Sequence, residues 1–485
     1  MKKNCAFALT LLLATASVFA QQQKKNSLPD NAAIRYLSGS FAVYDKLQKQ
    51  IWSHPELGFL EVQSANVLQS HLRENGFTVT SGVAGIPTAF VATYGEGSPV
   101  IGILAEYDAL PGLSQDTVPF KKALVEGGSG HGCGHNTFGA GSVAGAVAIK
   151  QWLSENRSRG TIKLFGTPAE EGGGGKVFLV RDGIFNGVDV ILDWHPGVDN
   201  AVSVGSGTAI QMMDYTFRGV AAHAAGNPDK GRSALDGVEA MNYMVNLLRE
   251  HVPTSSRIHY VIANGGEAPN VVPDYAKVSY YIRSPQRDIL HSLVEWVGQA
   301  AEGAAKGTQT TVTADTVSGF YELLHNRKLA ELVQQNLQLV GGVHYDERER
   351  AFALEIVKGL NLSDAILQSA STVAPLKEEA PLQGGASTDV GDVSWNVPTV
   401  SFNAAVFIPG SAGHSWQNVA SAGTTIGTKA LLNAARVFAL SAIDLYRNPK
   451  LVAEAKAEFE KRRGADFKYR ALLGNRPPAL DYRVK

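Results

Sequence analysis

An α/β fold, a mixed sheet flanked by helices with a smaller α+β unit of ferredoxin-like type inserted into it, is what this sequence of 485 residues predicts. Three observations carry that expectation. Short β-branched or apolar runs alternate with longer helix-compatible stretches toward both ends of the chain. Between residues 209 and 320 the rhythm changes to strand, helix, two strands, helix, strand. Residues capable of metal or acid–base chemistry fall at or just beyond the ends of the first group of strands, where open α/β sheets place their crevice.

Lys2 and Lys3, the apolar segment from Ala6 to Phe19 and the polar Gln21–Gln23 read as a cleaved secretory signal over residues 1–20. The apolar stretch is shorter than the roughly 20 residues a bilayer-spanning helix needs. A periplasmic or secreted protein is therefore expected, with no membrane contact after cleavage. Ile34, Leu37, Phe41, Tyr44, Leu47 and Ile51 recur at the spacing of one helical face, which predicts a single helix over residues 31–52. Strands are expected at 90–93, 100–104, 162–165, 188–192 and 399–402. In the insert, strands are expected at 212–217, 258–262, 278–282 and 310–314, with helices at 233–250 and 286–301. Residues 209–320 thus read as a lid or dimerisation domain. The catalytic domain is split into 21–208 and 321–485, with hinges near Ser206 and Phe320. The last roughly 30 residues, charged around Glu458 to Arg463 and then loop-like, read as a surface extension.

Lys and Arg number 44 against 45 Asp and Glu, so the chain lacks the basic field that would attract nucleic acid or anionic lipid. A small-molecule partner is expected instead. Of the two cysteines, Cys5 leaves with the signal, and Cys133 remains as a lone thiol with no internal disulfide partner.

Cys133 lies in Gly130-His131-Gly132-Cys133-Gly134-His135-Asn136, where flanking glycines let one sulfur and one imidazole face inward together. Taken alone, Cys133 also fits a buried small hydrophobe, and His131 reads as structural or as a group standing behind the donors. Glu170-Glu171 follows a strand and a Thr167-Pro168 turn and precedes four glycines. Adjacent carboxylates repel unless a cation or proton intervenes. One solution makes Glu171 a metal ligand and Glu170 the group that takes a proton from water; the alternative is a solvated pair at a helix start. Gly172 to Lys176 is no phosphate loop, since Glu170 stands where that motif needs glycine and Val177 where it needs a hydroxyl. His195 ends an apolar run at the crevice mouth, and His414 lies in a Gly-His-Ser loop; each by itself is as well explained by packing. His223, among small residues in the insert, suits an oxyanion donor or an ordinary loop histidine. Asn270 and Arg283 suit a substrate carboxylate, because the arginine fork binds carboxylate at two points; a surface salt bridge is the competing reading of Arg283.

His54-Pro55-Glu56-Leu57-Gly58, Ala105-Glu106-Tyr107-Asp108-Ala109-Leu110-Pro111-Gly112, the Cys133/His135 loop, Thr167-Pro168-Ala169-Glu170-Glu171-Gly172, Trp194-His195-Pro196 and Ala222-His223-Ala224-Ala225 occur in the order seen in one family. Over nearly all of the mature chain the sequence resembles the dinuclear metallo-amidohydrolases, which include aminoacylases, hippurate hydrolases, auxin-conjugate hydrolases and aminobenzoyl-glutamate hydrolases. Gly384-Gly385-Ala386-Ser387-Thr388-Asp389 favours the last branch. The resemblance implies a phosphorylase/hydrolase-like catalytic domain and two divalent ions, zinc or manganese. It implies Cys133, His135, Glu171, His195 and His414 as ligands, Glu170 as general base and acid, and His223 as a lid residue completing a site. It implies an N-acyl or N-aroyl amino acid as substrate and a homodimer through the lid, with a heteromer as the other assembly. Asp108 is expected behind the ligands. Asn136 stands where much of the family has Asp, so an altered partner for the metal ligands is expected there. The rival readings are a metallo-dipeptidase or exopeptidase on short peptides, and an exported non-catalytic metal-binding partner chain.

Overall fold

A computed structural model of the protein describes residues 28–204, 207–378 and 387–484. The expected signal segment, the hinge at Ser206 and Gly384–Ala386 lie outside these residues. Seven strands, β1 (Thr78–Ser81), β2 (Phe90–Glu96), β3 (Val100–Ala105), β4 (Gly160–Gly166), β5 (Val190–Gly197), β6 (Ala201–Val202) and β11 (Thr399–Ala405), form one sheet in the order β1-β2-β4-β3-β5-β11-β6. Its centre, β4-β3-β5-β11, is parallel; the outer strands pair antiparallel.

Alternation along the central strands feeds two cores. Ile103, Leu164 and Leu192 enter one, with Phe138, Trp194 and Phe438, while their neighbours Leu104, Phe165 and Ile191 enter the other, with Val177, Phe178 and Phe185. A strand buried on both faces must be apolar at successive positions, which explains the continuous runs legible in the sequence. On the first face the helix His135–Asn156 packs against the helix Thr425–Arg447. Their approach needs glycine: a Cβ at Gly145 would stand 2.9 Å from the Phe438 ring. By length and composition Thr425–Arg447 passes as a membrane span, but 83% of its apolar window is buried inside the protein, as in a core helix.

The expected helix over 31–52 is two, α1 (Ala32–Gly39) and α2 (Phe41–Trp52). Ser40 leaves helical geometry at φ −101°, ψ 6°, and its hydroxyl donates back to the Tyr36 carbonyl. A Gly-Ser pair is where a helix yields most readily. The apolar face continues across the break, so periodicity alone does not reveal it.

The second sheet contains β7 (Ala209–Arg218), β8 (Arg257–Asn264), β9 (Tyr275–Ser284) and β10 (Thr311–Phe320), ordered β10-β7-β9-β8 and antiparallel throughout. The helices Ala234–Leu248 and Arg287–Thr308 cover one face through Met241, Val245, Leu293 and Val297. With strand order 4-1-3-2 this is the ferredoxin-like βαββαβ arrangement.

The segment after Arg463 is not a surface extension. Leu472 and Leu473 are buried, Leu472 within the core of the second sheet. Tyr469 donates to Asp392 Oδ1 at 2.6 Å, and Arg181 donates to the Arg476 carbonyl at 2.6 Å. Its loop-like, charged composition conceals these anchors, each of which depends on a partner distant in sequence.

Candidate metal centre

The parallel strands deliver the site. Glu106 and Asp108 follow β3, Glu170 and Glu171 follow β4, and His195 lies near the end of β5. Cys133 sits two residues before the helix His135–Asn156, whose first residue is itself a candidate donor. A helix N-terminus carries partial positive charge and favours an adjacent thiolate.

Donor atoms of Cys133, His135 and His195 lie within 4.8 Å of one another, and so do those of Cys133, Glu171 and His414. Cys133 belongs to both groups. Its Sγ is 3.5 Å from His195 Nε2, and His414 Nε2 is 3.4 Å from Glu171 Oε1. Zinc bonds of about 2.3 Å to sulfur and about 2.0–2.1 Å to nitrogen or oxygen, at tetrahedral angles, separate such donors by about 3.4–3.6 Å. Among the described residues, buried His135 Nε2 and Glu171 Oε1 make no well-aligned hydrogen bond, each meeting another candidate polar group instead, Glu106 Oε2 at 3.0 Å and His414 Nε2 at 3.4 Å. Buried polar atoms left this way are costly unless a cation takes them. The five donors fit two cations sharing a thiolate.

Asp108 ties the two groups together. Its Oδ1 is 2.9 Å from His135 Nδ1, and its Oδ2 accepts the Glu171 backbone N–H at 2.9 Å. The Nδ1 proton is thereby fixed on the outer side of the ring, leaving the Nε2 lone pair for a metal. Burial opposes ionisation of Asp108, but His135 and the Glu171 amide outweigh it and hold its carboxyl below the usual range. His195 is fixed in the same sense, with Nδ1 2.8 Å from the Pro196 carbonyl, and burial lowers its pKa. Burial and the Glu171 carboxylate push the Cys133 thiol up, a shift that a bound cation would oppose.

Glu170 is half-buried beside this cage. Burial and the carboxylates of Glu106, Glu171 and Asp389 hold its carboxyl well above the ordinary range, the environment of a proton acceptor that functions near neutrality.

A buried ionic cluster behind Glu170 has no counterpart in the sequence reading. Lys176 Nζ lies 2.6 Å from Glu106 Oε1 and 2.6 Å from Asp389 Oδ1, all three side chains at most 1% exposed. Glu106 Oε2 approaches His135 Nε2 at 3.0 Å, and donor atoms of Glu106, His135 and Glu170 form a third close group. Burial works against the Lys176 charge, but Asp389 and Glu106 raise its pKa above that of an ordinary lysine. Glu106 lies two residues before Asp108 at a strand end, a period-2 spacing that was open to reading. The Lys176–Asp389 pairing spans 213 residues and has no local signal.

Four expected residues stand elsewhere. Asn136 is fully buried, but its Nδ2 donates to Gln48 Oε1 at 2.8 Å and to the Ala422 carbonyl at 3.3 Å. It joins its own helix to α2 and to the helix Trp416–Ala422 rather than touching a cage donor, because a residue one step along a helix from His135 points about 100° away. Its expected place behind the ligands is corrected on that ground, and Asp108 fills it. His223 and Asn270 lie exposed together on the second-sheet unit, where Ala224 N–H donates to the Asn270 carbonyl and His223 bridges Val271. The N–H groups of Ala225 and Gly226 donate to His223 Nδ1, so its proton is on Nε2, facing outward. Arg283 is half-buried on β9, with Nη1 3.4 Å from Ser387 Oγ and Nε buried without a hydrogen-bond partner among the described residues.

Residues 102–443 match the model of the peptidase family M20/M25/M40. The chain is 39% identical over 443 residues to one of the p-aminobenzoyl-glutamate hydrolase subunits of Escherichia coli, covering 86% of this chain and 92% of that one. It is 28% identical to the Xaa-Arg dipeptidase of Mus musculus, over 85% and 88% of the two chains. Among solved structures it is similar to a dinuclear metal-binding peptidase of the M20 family from Bacillus subtilis, with a TM-score of 0.56 and 19% identity over 84% and 99% of the chains. A parallel core that gathers Cys, His and Glu donors at its strand ends, a ferredoxin-like second sheet, and a family match over most of the length agree: the chain belongs to the peptidase family M20/M25/M40.

Proposed function

We propose that the protein is a metal-dependent amidohydrolase that cleaves the amide bond of N-acyl or N-aroyl amino acids, with aminobenzoyl-glutamate as the model substrate. The observation that carries this reading is the pair of three-donor groups sharing Cys133. Cys133, His135 and His195 would hold one divalent ion, and Cys133, Glu171 and His414 the other. When bound, the ions supply a polarised carbonyl and a water that is nucleophilic near neutral pH. Thiolate and imidazole donors suit zinc, and the carboxylate also admits manganese.

Glu170 takes the proton of the attacking water and returns it to the amine nitrogen as the C–N bond breaks, and the acid's remaining proton ends on the released amine, so amide and water become carboxylate and ammonium. Its placement against Glu106 and Glu171 keeps the proton available for return. His223, with its proton on the outward nitrogen, is suited to meet the oxyanion, in the same or a neighbouring protomer. Arg283 and Asn270 are the groups proposed for the free carboxylate.

The apolar run at residues 6–19 supports export to the periplasm or medium. Two different p-aminobenzoyl-glutamate hydrolase subunits of Escherichia coli are similar to this chain, one at 39% identity and the other at 30% over 230 residues, which supports a heteromer alongside a homodimer through the second sheet. A second reading, hydrolysis of short peptides, is favoured by the likeness to Xaa-Arg dipeptidases.

Turnover of N-aroyl and N-acyl amino acids compared with dipeptides at equal concentration, before and after chelation, tests the proposal. Chelator-sensitive release of amino acid from the aroyl substrates is expected. Dipeptide turnover alone selects the second reading. Absence of both from the purified chain would favour a non-catalytic chain or one that is obligately heteromeric.

A further inference from the structure

The turn that carries Glu170 and Glu171 is built to be held from outside. Ala169 at φ 60°, Gly172 at φ 102° and Gly174 at φ 70° all lie in the left-handed region, and a Cβ at Gly175 would stand 1.9 Å from the Pro168 carbonyl oxygen. Four consecutive glycines give this segment the greatest backbone freedom to lose on folding. Three carboxylates clamp its N–H groups: Glu61 accepts from Ala169 at 2.8 Å, Asp108 from Glu171 at 2.9 Å, and Asp389 from Lys176 at 2.9 Å. The Glu171 carbonyl is held by a different part of the chain. Arg483 Nη2 donates to it at 2.6 Å, and the Tyr482 hydroxyl lies 3.4 Å away.

These two residues come from the segment expected to be a surface extension. The Tyr482 ring meets Phe59 edge-on at 5.6 Å, and a Cβ at Gly58 would stand 2.3 Å from its hydroxyl, so the tail is seated in a gap that glycine leaves open. The Arg483 guanidinium lies 4.9 Å from the Tyr482 ring centroid. Upstream, Arg476 donates to the Val317 carbonyl at 2.9 Å, beside the register shift in β10. The tail therefore passes from the second sheet to the glutamate turn.

We propose that the C-terminal tail is part of the active site, with Arg483 as a positioning residue that fixes the Glu171 peptide and so aims its carboxylate into the cage. Asp108 grips the N–H of Glu171 and Arg483 grips its C=O. With both ends of the residue held, the side chain starts from one backbone orientation. With the carbonyl released, the flanking glycine lets the peptide rotate and the carboxylate leaves the position that faces His414. Because Cys133, His135 and His195 owe nothing to this contact, the effect falls on one donor group and not the other. That selectivity separates positioning from general packing.

The test uses the full-length protein with Arg483→Ala and Arg483→Lys. Metal-free protein is titrated with Zn²⁺, and backbone hydrogen exchange is followed without metal. For Arg483→Ala, affinity for one of two ions is expected to fall about tenfold while the other is unchanged, the scale of losing a group that orients a ligand. Arg483→Lys should recover part of the loss, since it keeps the charge but not the fork. Exchange should quicken at residues 172–175 and stay unchanged elsewhere. Wild-type affinities with unchanged exchange would overturn the proposal. So would equal weakening of both ions, or destabilisation of the whole fold, since those are the marks of packing alone. The metal readout rests on the two-ion reading above, and the exchange readout does not. A wild-type chain that takes up fewer than two ions would sink that reading while the exchange result still decides this one.

Discussion

Replacing Asp108 by Asn changes one atom type in a residue that touches no substrate, and the geometry fixes what must follow. The carboxylate has two acceptor oxygens in use, one toward His135 Nδ1 at 2.9 Å and one toward the Glu171 N–H at 2.9 Å. An amide of the same shape offers one acceptor and one NH₂. If the amide oxygen stays on His135, the NH₂ confronts the Glu171 N–H and the turn is pushed away from its donor position. If the amide flips, its NH₂ faces His135 Nδ1 and leaves the Asp108 backbone carbonyl, 3.1 Å away, as the acceptor for that proton, so the ring loses the carboxylate that orients Nε2. Either outcome damages one ion site and spares the other. Loss of an orienting partner typically costs about 10–100-fold in metal affinity, or about 1.4–2.8 kcal/mol. Competition titration of metal-free protein against a chromophoric zinc chelator reads the two affinities. Asp108→Asn should show one near wild type and one weakened by that factor, whereas Asp108→Ala should weaken both. Two wild-type affinities in Asp108→Asn would refute the idea that one carboxylate holds a donor of each site.

Glu170→Gln removes the proposed proton acceptor without removing a proposed ligand, so two ions per chain should remain while kcat falls by about 10²–10⁴; retained turnover would exclude Glu170 as the base. Lys176→Met leaves Glu106 and Asp389 buried without their counter-charge and should lower unfolding stability by about 3–5 kcal/mol, read by urea denaturation; an unchanged midpoint would show that water reaches the cluster. Burial pushes the Asp392 carboxyl up to about 7. Between an unfolded pKa near 4 and that value the unfolded chain has lost a proton the folded chain keeps, so this group's contribution is complete at acidic pH and is lost as pH rises toward 7. Asp392→Asn should flatten the fall of the denaturation midpoint over that range, and an identical slope would contradict it.

The sheet was legible because strands buried on both faces run apolar at successive positions, as at Ile103–Leu104 and Val190–Leu192. The βαββαβ order was legible because its periods switch cleanly from 2 to 3.6 between Phe217 and Glu250. Cys133, His135, Glu171, His195 and His414 stood out by their Gly-rich or strand-end settings, the family resemblance implied them together as ligands, and the fold brings their donor atoms together. The Lys176–Glu106–Asp389 cluster was not legible, since a lysine becomes buried only when two carboxylates from other elements arrive around it. Tyr482 and Arg483 look like ordinary tail residues until Gly58 and Phe59 are seen to make room for them. Asn136 misled because adjacency in sequence to a ligand is not adjacency in space on a helix.

Anomalous diffraction from crystals grown with zinc tests the shared-thiolate cage most directly. Two peaks are expected, about 3.5–4 Å apart as in other two-metal sites, both within bonding distance of Cys133 Sγ, one beside His135 and His195 and the other beside Glu171 and His414. A single peak, or two peaks of which only one touches Cys133, would contradict the account.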